Sequence, residues 1–210
     1  MKKAILGKKL GMSQIFDEKG NVVPVTLIEA GPCIVSQIKT IENDGYSAIQ
    51  VGYTDLKEKH TNKPIAGHFK KAGVAPKKYI REFRLEDVSG FNIGDAITAD
   101  VFTADELVDV TGKTKGHGFS GVVKRYGFKI KSMSHGGGPV HRHAGSLGMN
   151  TQPGRIFKNK KMPGQFGNHT QTVQNLRVVK VDPTSGIIAV KGAVPGARGM
   201  LVTIKNAVKA

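Results

Sequence analysis

The chain has 210 residues, 27 of them glycine, and a formal net charge of +16, and its one cysteine excludes an intrachain disulfide. This length predicts one globular domain, or one domain with an elaboration, and a pI near 10.0 is extreme for a metabolic enzyme. No apolar run approaches the roughly 18 residues that span a bilayer, and lysines interrupt the apolar N-terminus, which argues against a signal peptide, so we expect a cytoplasmic protein.

The first half of the chain is predicted to be mainly β. Its strands are predicted from runs of β-branched or alternating residues at 22–28, 33–38, 47–53 and 107–110, and residues 91–97 are predicted to form a turn and a strand. Turn residues at 18–21 precede the first run, and those at 42–45 separate the second run from the third. Apolar residues at helical spacing between Pro64 and Gly73 predict a short amphipathic helix with Phe69 on its apolar face.

The second half contains strands on both sides of an irregular segment. Its predicted strands lie at 172–182, 187–191 and 201–205. Many short strands at regular spacing predict a mostly antiparallel β-barrel with short helices, one of them at 120–126. Residues 126–170 are rich in glycine and poor in aliphatic residues, so this segment cannot bury a core of its own. We therefore predict a globular domain of residues 1–125 and 171–210 with residues 126–170 inserted in it as an extension.

Charge is distributed unevenly along the chain. Residues 1–109 hold 15 Lys and Arg against 15 Asp and Glu, whereas residues 110–210 hold 17 against one, Asp182. A basic surface without a specific partner would still carry acidic side chains among its basic ones. The 72 residues without a carboxylate, 110–181, therefore indicate a polyanionic partner that would repel carboxylates. We predict that this partner is structured RNA.

Three motifs in this basic half point to cofactors but lack the residues that would complete them. Residues 116–121 fit GxGxxG, which also requires an acid about 20 residues later, and no acid occurs between Asp109 and Asp182. Residues 112–114 imitate the end of a P-loop, but Leu107 stands where its first glycine is required. The histidines near 141–143 have no cysteine or carboxylate within 25 residues to complete a metal site or to orient a catalytic base. We expect no cofactor, no metal and no enzyme activity.

The same residues fit RNA binding. Glycines let a backbone approach phosphates closely. Phe157 and Phe166 lie among cations, where a ring either stacks on an unpaired base or packs at the root of the extension. The candidate RNA contacts are the cations and histidines Lys113, Lys115, His117, Lys124, Arg125, Lys129, Lys131, His135, His141, Arg142, His143, Arg155, Lys158, Lys160 and Lys161.

Residues 102–125 resemble the signature of the universal large-subunit ribosomal protein number three. The matching positions are Phe102, Asp109, Gly112, Thr114, Gly116, His117, Gly118, Gly121 and Arg125. Stretches that resemble the bacterial branch of this family lie at 7–16, 134–136, 145–148, 153–155, 160–164 and 190–196. Archaeal and eukaryotic members carry a tryptophan near the tip of their extension, and this chain has no tryptophan.

This resemblance implies a translation-protein-type β-barrel with a long extension that penetrates ribosomal RNA toward the peptidyl transferase centre. It implies a structural role in the large subunit, with primary binding to 23S ribosomal RNA near its 3′ end and nucleation of subunit assembly. Ribosomal proteins fourteen and nineteen are the implied protein neighbours, with no membrane and no small-molecule substrate. The implied tip consists of Gly145, Ser146, Leu147, Gly148, Met149, Asn150, Thr151 and Gln152.

The tip departs from the family at one position. Some bacterial members carry an N-methylated glutamine directly after the tip asparagine, whereas here Thr151 follows Asn150 and Gln152 comes one residue later. The departure predicts that Gln152 is unmodified or a poor substrate. Two other functions remain as alternatives: an RNA-modifying or nucleotide-binding protein that uses the glycine-rich segment, and a nonspecific DNA-compacting protein.

Overall fold

The computed structural model describes residues 3–209, so the terminal residues 1, 2 and 210 of the predicted domain lie outside the described part. The chain divides into two compact units. We call the first, residues 3–113 and 170–209, the barrel unit, and the second, residues 114–169, the basic unit. None of the helices within residues 3–209 is long and apolar enough to cross a membrane.

Strands dominate the described residues, which confirms the mostly β prediction. The strands are β1 (Ala4–Phe16), β2 (Val22–Ala30), β3 (Cys33–Lys39), β4 (Ala48–Asp55), β5 (Lys77–Phe83), β6 (Ala96–Ile97), β7 (Leu107–Lys113), β8 (Gly118–Ser120), β9 (Gly164–Phe166), β10 (Thr170–Asp182), β11 (Ile187–Lys191) and β12 (Leu201–Asn206). The α-helices are α1 (Ile41–Asp44), α2 (Lys63–Ala72) and α3 (Val122–Tyr126). The helix predicted at 120–126 is therefore present but begins two residues later.

Six strands form a closed antiparallel barrel in the order β1-β12-β7-β10-β11-β2. Apolar side chains such as Ile5, Ile28, Val110 and Ile204 alternate into its interior and are fully buried. The sequence did not predict β1, although this strand pairs with both β12 and β2 and so completes the barrel. Closure leaves these strands without an open edge, which stabilises a small all-β domain.

A second sheet of the barrel unit has the order β5-β4-β3-β6 and was not predicted to be separate from the barrel. Helix α2 lies close to its predicted position, Phe69 is buried as predicted, and Gly73 ends the helix with φ +67°. Cys33 lies in the core that this sheet shares with the barrel, as its apolar sequence context suggested. Burial raises the pKa of the Cys33 thiol to about 11.

Strand β10 carries a bulge where the sequence predicted unbroken alternation. The register with β7 shifts between Val173 and Leu176, so that Gln174 and Asn175 lie opposite the single residue Asp109. Asn175 has φ +56°, and its backbone N–H donates to Oδ1 of Asp109 at 2.9 Å. The Asp109 side chain, in a residue only 5% exposed, therefore satisfies the backbone group that the bulge withdraws from the ladder.

We expect Asp109→Ala to lower the free energy of unfolding by about 1–3 kcal/mol, because the bulge N–H loses its acceptor in a buried setting. Asp109→Asn is the matched control, since it retains an oxygen acceptor at the same place and should cost less. Urea unfolding of the three proteins measures both differences. A loss below about 0.5 kcal/mol for the alanine variant, the range of neutral surface changes, would show that the carboxylate does not hold the bulge.

Candidate nucleic-acid interface

The basic unit is closed at its base by two antiparallel limbs, residues 114–120 and 164–169. The Thr114 N–H donates to the His169 carbonyl at 2.9 Å, and the His117 N–H donates to the Phe166 carbonyl at 2.9 Å. Beyond these two bonds, β8 pairs with β9. A Cβ atom on Gly167, which has φ +73°, would clash with the Lys115 carbonyl oxygen, so the limbs approach closely only with glycine there.

Arg125 ties helix α3 to the segment that directly precedes β9. Its Nη1 donates to the Met162 carbonyl at 2.8 Å, and its guanidinium lies 5.0 Å from the centre of the Tyr126 ring. The ammonium of Lys161 lies 5.7 Å from the same ring. These contacts give Arg125 a structural task inside the unit, which the sequence-based prediction of an RNA contact did not include.

The rest of the basic unit has little internal structure. No helix or strand lies between Tyr126 and Gly164. Within residues 128–161, all of which the structure describes, one backbone hydrogen bond is present besides helix and strand bonds, from the Lys131 N–H to the His141 carbonyl at 3.2 Å. Val122 is the only buried hydrophobic residue of the unit, so almost no apolar core holds this segment in one conformation.

The basic unit carries a disproportionate share of the charge. Its 56 residues contain ten Lys and Arg, five His and no Asp or Glu, which is +10 of the formal +16. The barrel unit, by contrast, mixes signs and forms ion pairs such as Lys77–Asp55 at 2.5 Å. The cations of the basic unit therefore have no carboxylate in their own unit to neutralise them.

The structure leaves most of the predicted RNA contacts accessible. Lys113 lies at the end of β7 in the barrel unit, and the other candidates lie in the basic unit. Arg125 and His141 are partly buried, and Nδ1 of His141 is buried without a hydrogen-bond partner. The exposed candidates are Lys113, Lys115, His117, Lys124, Lys129, Lys131, His135, Arg142, His143, Arg155, Lys158, Lys160 and Lys161. All residues of the implied tip, 145–152, are exposed as well.

The aromatic residues of the unit differ in what they contact. The Phe166 ring stacks on the His117 ring with a centroid distance of 5.0 Å and an interplanar angle of 23°, which favours the packing alternative for Phe166. Phe157 is 52% exposed, and Phe119, which the sequence analysis did not single out, is 79% exposed. The position of Phe119 within the glycine-rich run could have marked it as a candidate for base stacking, but the prediction for this run considered only its glycines and cations.

The geometry does not support the cofactor motifs. The GxGxxG run forms the three-residue strand β8, which pairs antiparallel with β9, and leads into the five-residue helix α3. A dinucleotide site instead requires a parallel βαβ unit. Gly112 lies inside β7, in register with Gln171, and not in a phosphate-binding loop. Among residues 3–209 no group of three or more His, Cys, Asp or Glu is arranged to hold a metal ion.

Comparison with known proteins decides the family. Residues 83–186 match the model of the Ribosomal protein L3 family. The chain is 52% identical over 207 residues to the large ribosomal subunit protein uL3 of Corynebacterium glutamicum, an alignment that covers 99% of this chain and 95% of that protein. The chain belongs to the ribosomal protein L3 family. The uL3 proteins of Corynebacterium efficiens and Corynebacterium diphtheriae are each 51% identical over 207 residues, which confirms the resemblance to the bacterial branch. The L3 match runs from the end of β5 to the turn after β10 and so includes the whole basic unit.

Proposed function

We propose that this protein is a structural component of the large ribosomal subunit that binds 23S ribosomal RNA mainly through its basic unit. Membership of the L3 family supports a place in the large subunit of a cytoplasmic particle and a structural role there. The observation that carries the RNA assignment is the absence of any carboxylate from residues 114–169, which hold ten Lys and Arg.

The mechanism is neutralisation of phosphate charge inside folded RNA. A carboxylate next to phosphates in a poorly hydrated site would add repulsion that solvent screens weakly. Exposed lysine and arginine side chains on a segment with little internal structure can adapt to phosphate positions as the RNA orders them. Histidines such as His143 add hydrogen-bond donors that discriminate little between RNA sequences.

The segment 126–170 is the proposed extension toward the peptidyl transferase centre, with residues 145–152 at its tip. The exposure of all eight tip residues and the lack of helix or strand between Tyr126 and Gly164 support this assignment. The globular domain would then comprise residues 1–125 and 171–210. The compact basic unit begins earlier, at Thr114, because β8 and α3 belong with the returning limb.

The barrel unit is the proposed site of contact with ribosomal proteins fourteen and nineteen. Its mixed charges and ion pairs, such as Arg177–Asp105 and Lys39–Glu82, are typical of a surface that does not select a polyanion. Binding near the 3′ end of the 23S RNA and nucleation of subunit assembly complete the proposed role, on the strength of the family resemblance.

Gln152 is proposed to be unmethylated, because Thr151 separates it from Asn150. Mass spectrometry of the tip peptide from native subunits should give the unmodified mass. A mass increase equal to one methyl group on Gln152 would overturn this proposal.

Equilibrium binding tests the proposed function directly. Each phosphate contact adds about 0.7–0.9 to the slope of log affinity against log salt, so ten engaged cations predict a slope near −7 to −9 with protein-free 23S RNA. Duplex DNA of equal length should compete poorly, which separates this function from DNA compaction. Calorimetry should detect no nucleotide binding, which separates it from a nucleotide-binding protein. A slope of only about −1 to −2 would contradict phosphate neutralisation as the mechanism.

A further inference from the structure

Phe119 is the most exposed aromatic side chain among residues 3–209, at 79% of its full accessible surface. It lies in the middle of β8, directly opposite Gln165 of β9. The paired backbone therefore holds the root of this ring in place, while the ring itself remains in water. A large apolar ring held in solvent forgoes the burial energy that phenylalanine usually contributes.

The surroundings of Phe119 leave space for a planar group. A Cβ atom added at Gly118 or at Gly121, on either side of it in sequence, would meet no atom within 4 Å. The other ring of this ribbon, Phe166, is already stacked on His117. The described structure records no ring contact for Phe119, so its aromatic face is available to a partner outside the chain.

Charge favours a nucleobase over a protein surface as that partner. Phe119 lies in a stretch that contains Lys115, His117 and Lys124 and has no carboxylate anywhere between residues 110 and 181. Phosphates that flank a stacked base would meet cations there without repulsion. Aromatic rings on paired strands bind unpaired bases in this way, because every base offers a π-face whatever its sequence.

We propose that Phe119 is a stacking platform for one unpaired base of the RNA that the basic unit binds. The proposal rests on the proposed function and assigns a specific task to one side chain within it. Stacking removes water from the face of the Phe119 ring and from the face of the base, and it forms no contact with phosphate. It should therefore contribute to affinity without contributing to the salt slope.

The test measures binding of the full-length chain to protein-free 23S RNA across a salt series. Phe119→Leu should weaken binding roughly 5- to 150-fold, the equivalent of one lost stack, with an unchanged salt slope. Phe119→Trp should bind at least as well as the parent chain. Phe16→Leu is the matched control, because Phe16 is 63% exposed at the C-terminal end of β1 in the barrel unit and should be neutral.

The outcomes separate this inference from the function on which it rests. A parent chain that binds 23S RNA with a shallow salt slope contradicts the proposed function itself. A steep slope in the parent with equal affinity in Phe119→Leu overturns the stacking proposal alone. If Phe119→Leu binds 23S RNA as well as the parent chain but is not retained in large subunits, Phe119 contacts a protein, and the stacking proposal is wrong. A loss that tryptophan does not restore would also overturn stacking, because a platform accepts any flat ring. Circular dichroism of each variant checks that the fold is intact.

Discussion

Replacing Arg155, Lys158, Lys160 and Lys161 together with glutamine is expected to lower the salt slope of 23S RNA binding by about 2.8–3.6. These four exposed cations lie between the proposed tip and the limb of residues 164–169. If the four cations contribute to binding through counterion release alone, the affinities of the parent chain and the variant for 23S RNA should become equal near 1 M salt. At 0.1 M salt, one decade lower, the same slope difference predicts roughly a thousandfold loss of affinity.

A matched variant separates local contact from net charge. Lys57, Lys59, Lys70 and Lys71 are exposed cations of the barrel unit, and their replacement with glutamine removes the same total charge. This second variant should change the slope by less than about one, because long-range attraction is largely screened beyond about 10 Å at 0.1 M salt. Equal slope losses in the two variants would show that overall charge, and not the basic unit, governs binding.

Limited trypsin digestion of the isolated protein should cut first within residues 129–161. This range offers exposed cleavage sites at Lys129, Lys131, Arg142, Arg155 and Lys158, and almost no buried apolar residue opposes local opening. The same sites should resist cleavage in the assembled subunit, where RNA covers them. Electrophoresis with mass spectrometry of the fragments measures both rates, and we expect them to differ by at least about two orders of magnitude, as for a segment that orders on binding.

The two halves of the nicked chain should remain associated. The barrel is completed by β7 and β1 from the N-terminal fragment with β10 and β12 from the C-terminal fragment, and these strands stay paired when the intervening segment is cut. Size exclusion should therefore show one species of nearly native mass after digestion. Equal resistance of residues 129–161 in the isolated protein and in the subunit would contradict the view that RNA orders them.

The local sequence pattern predicted those strands that are rich in β-branched residues. The runs at 22–28 and 187–191 are rich in valine and isoleucine and form β2 and β11. Strand β1 was missed because glycines and lysines interrupt its apolar alternation. One of those lysines, Lys9, is only 9% exposed and donates from Nζ to the Val194 carbonyl at 2.6 Å. The burial of Lys9 depends on carbonyl groups that are far away in the sequence, so it cannot be predicted from the residues around Lys9.

The pairing of strands that are far apart in the chain could not be predicted from the sequence either. The division of the strands between a barrel and a separate sheet depends on partners such as β1 and β12, which lie nearly 200 residues apart. The bulge at Asn175 depends on a carboxylate 66 residues earlier, at Asp109. The charge asymmetry, by contrast, is a property of composition, so the candidate interface could be predicted while the internal bond from Arg125 to Met162 could not.

A density map of the large subunit that contains this chain tests the RNA assignment most directly. We predict that the side chains of His143 and Asn150 are surrounded by 23S RNA. Most of the exposed cations between Lys115 and Lys161 should lie within about 2.7–2.9 Å of phosphate oxygens, the distance of charge-assisted hydrogen bonds. A map in which residues 114–169 extend into solvent or rest on protein, while the barrel unit makes the RNA contacts, would contradict the assignment.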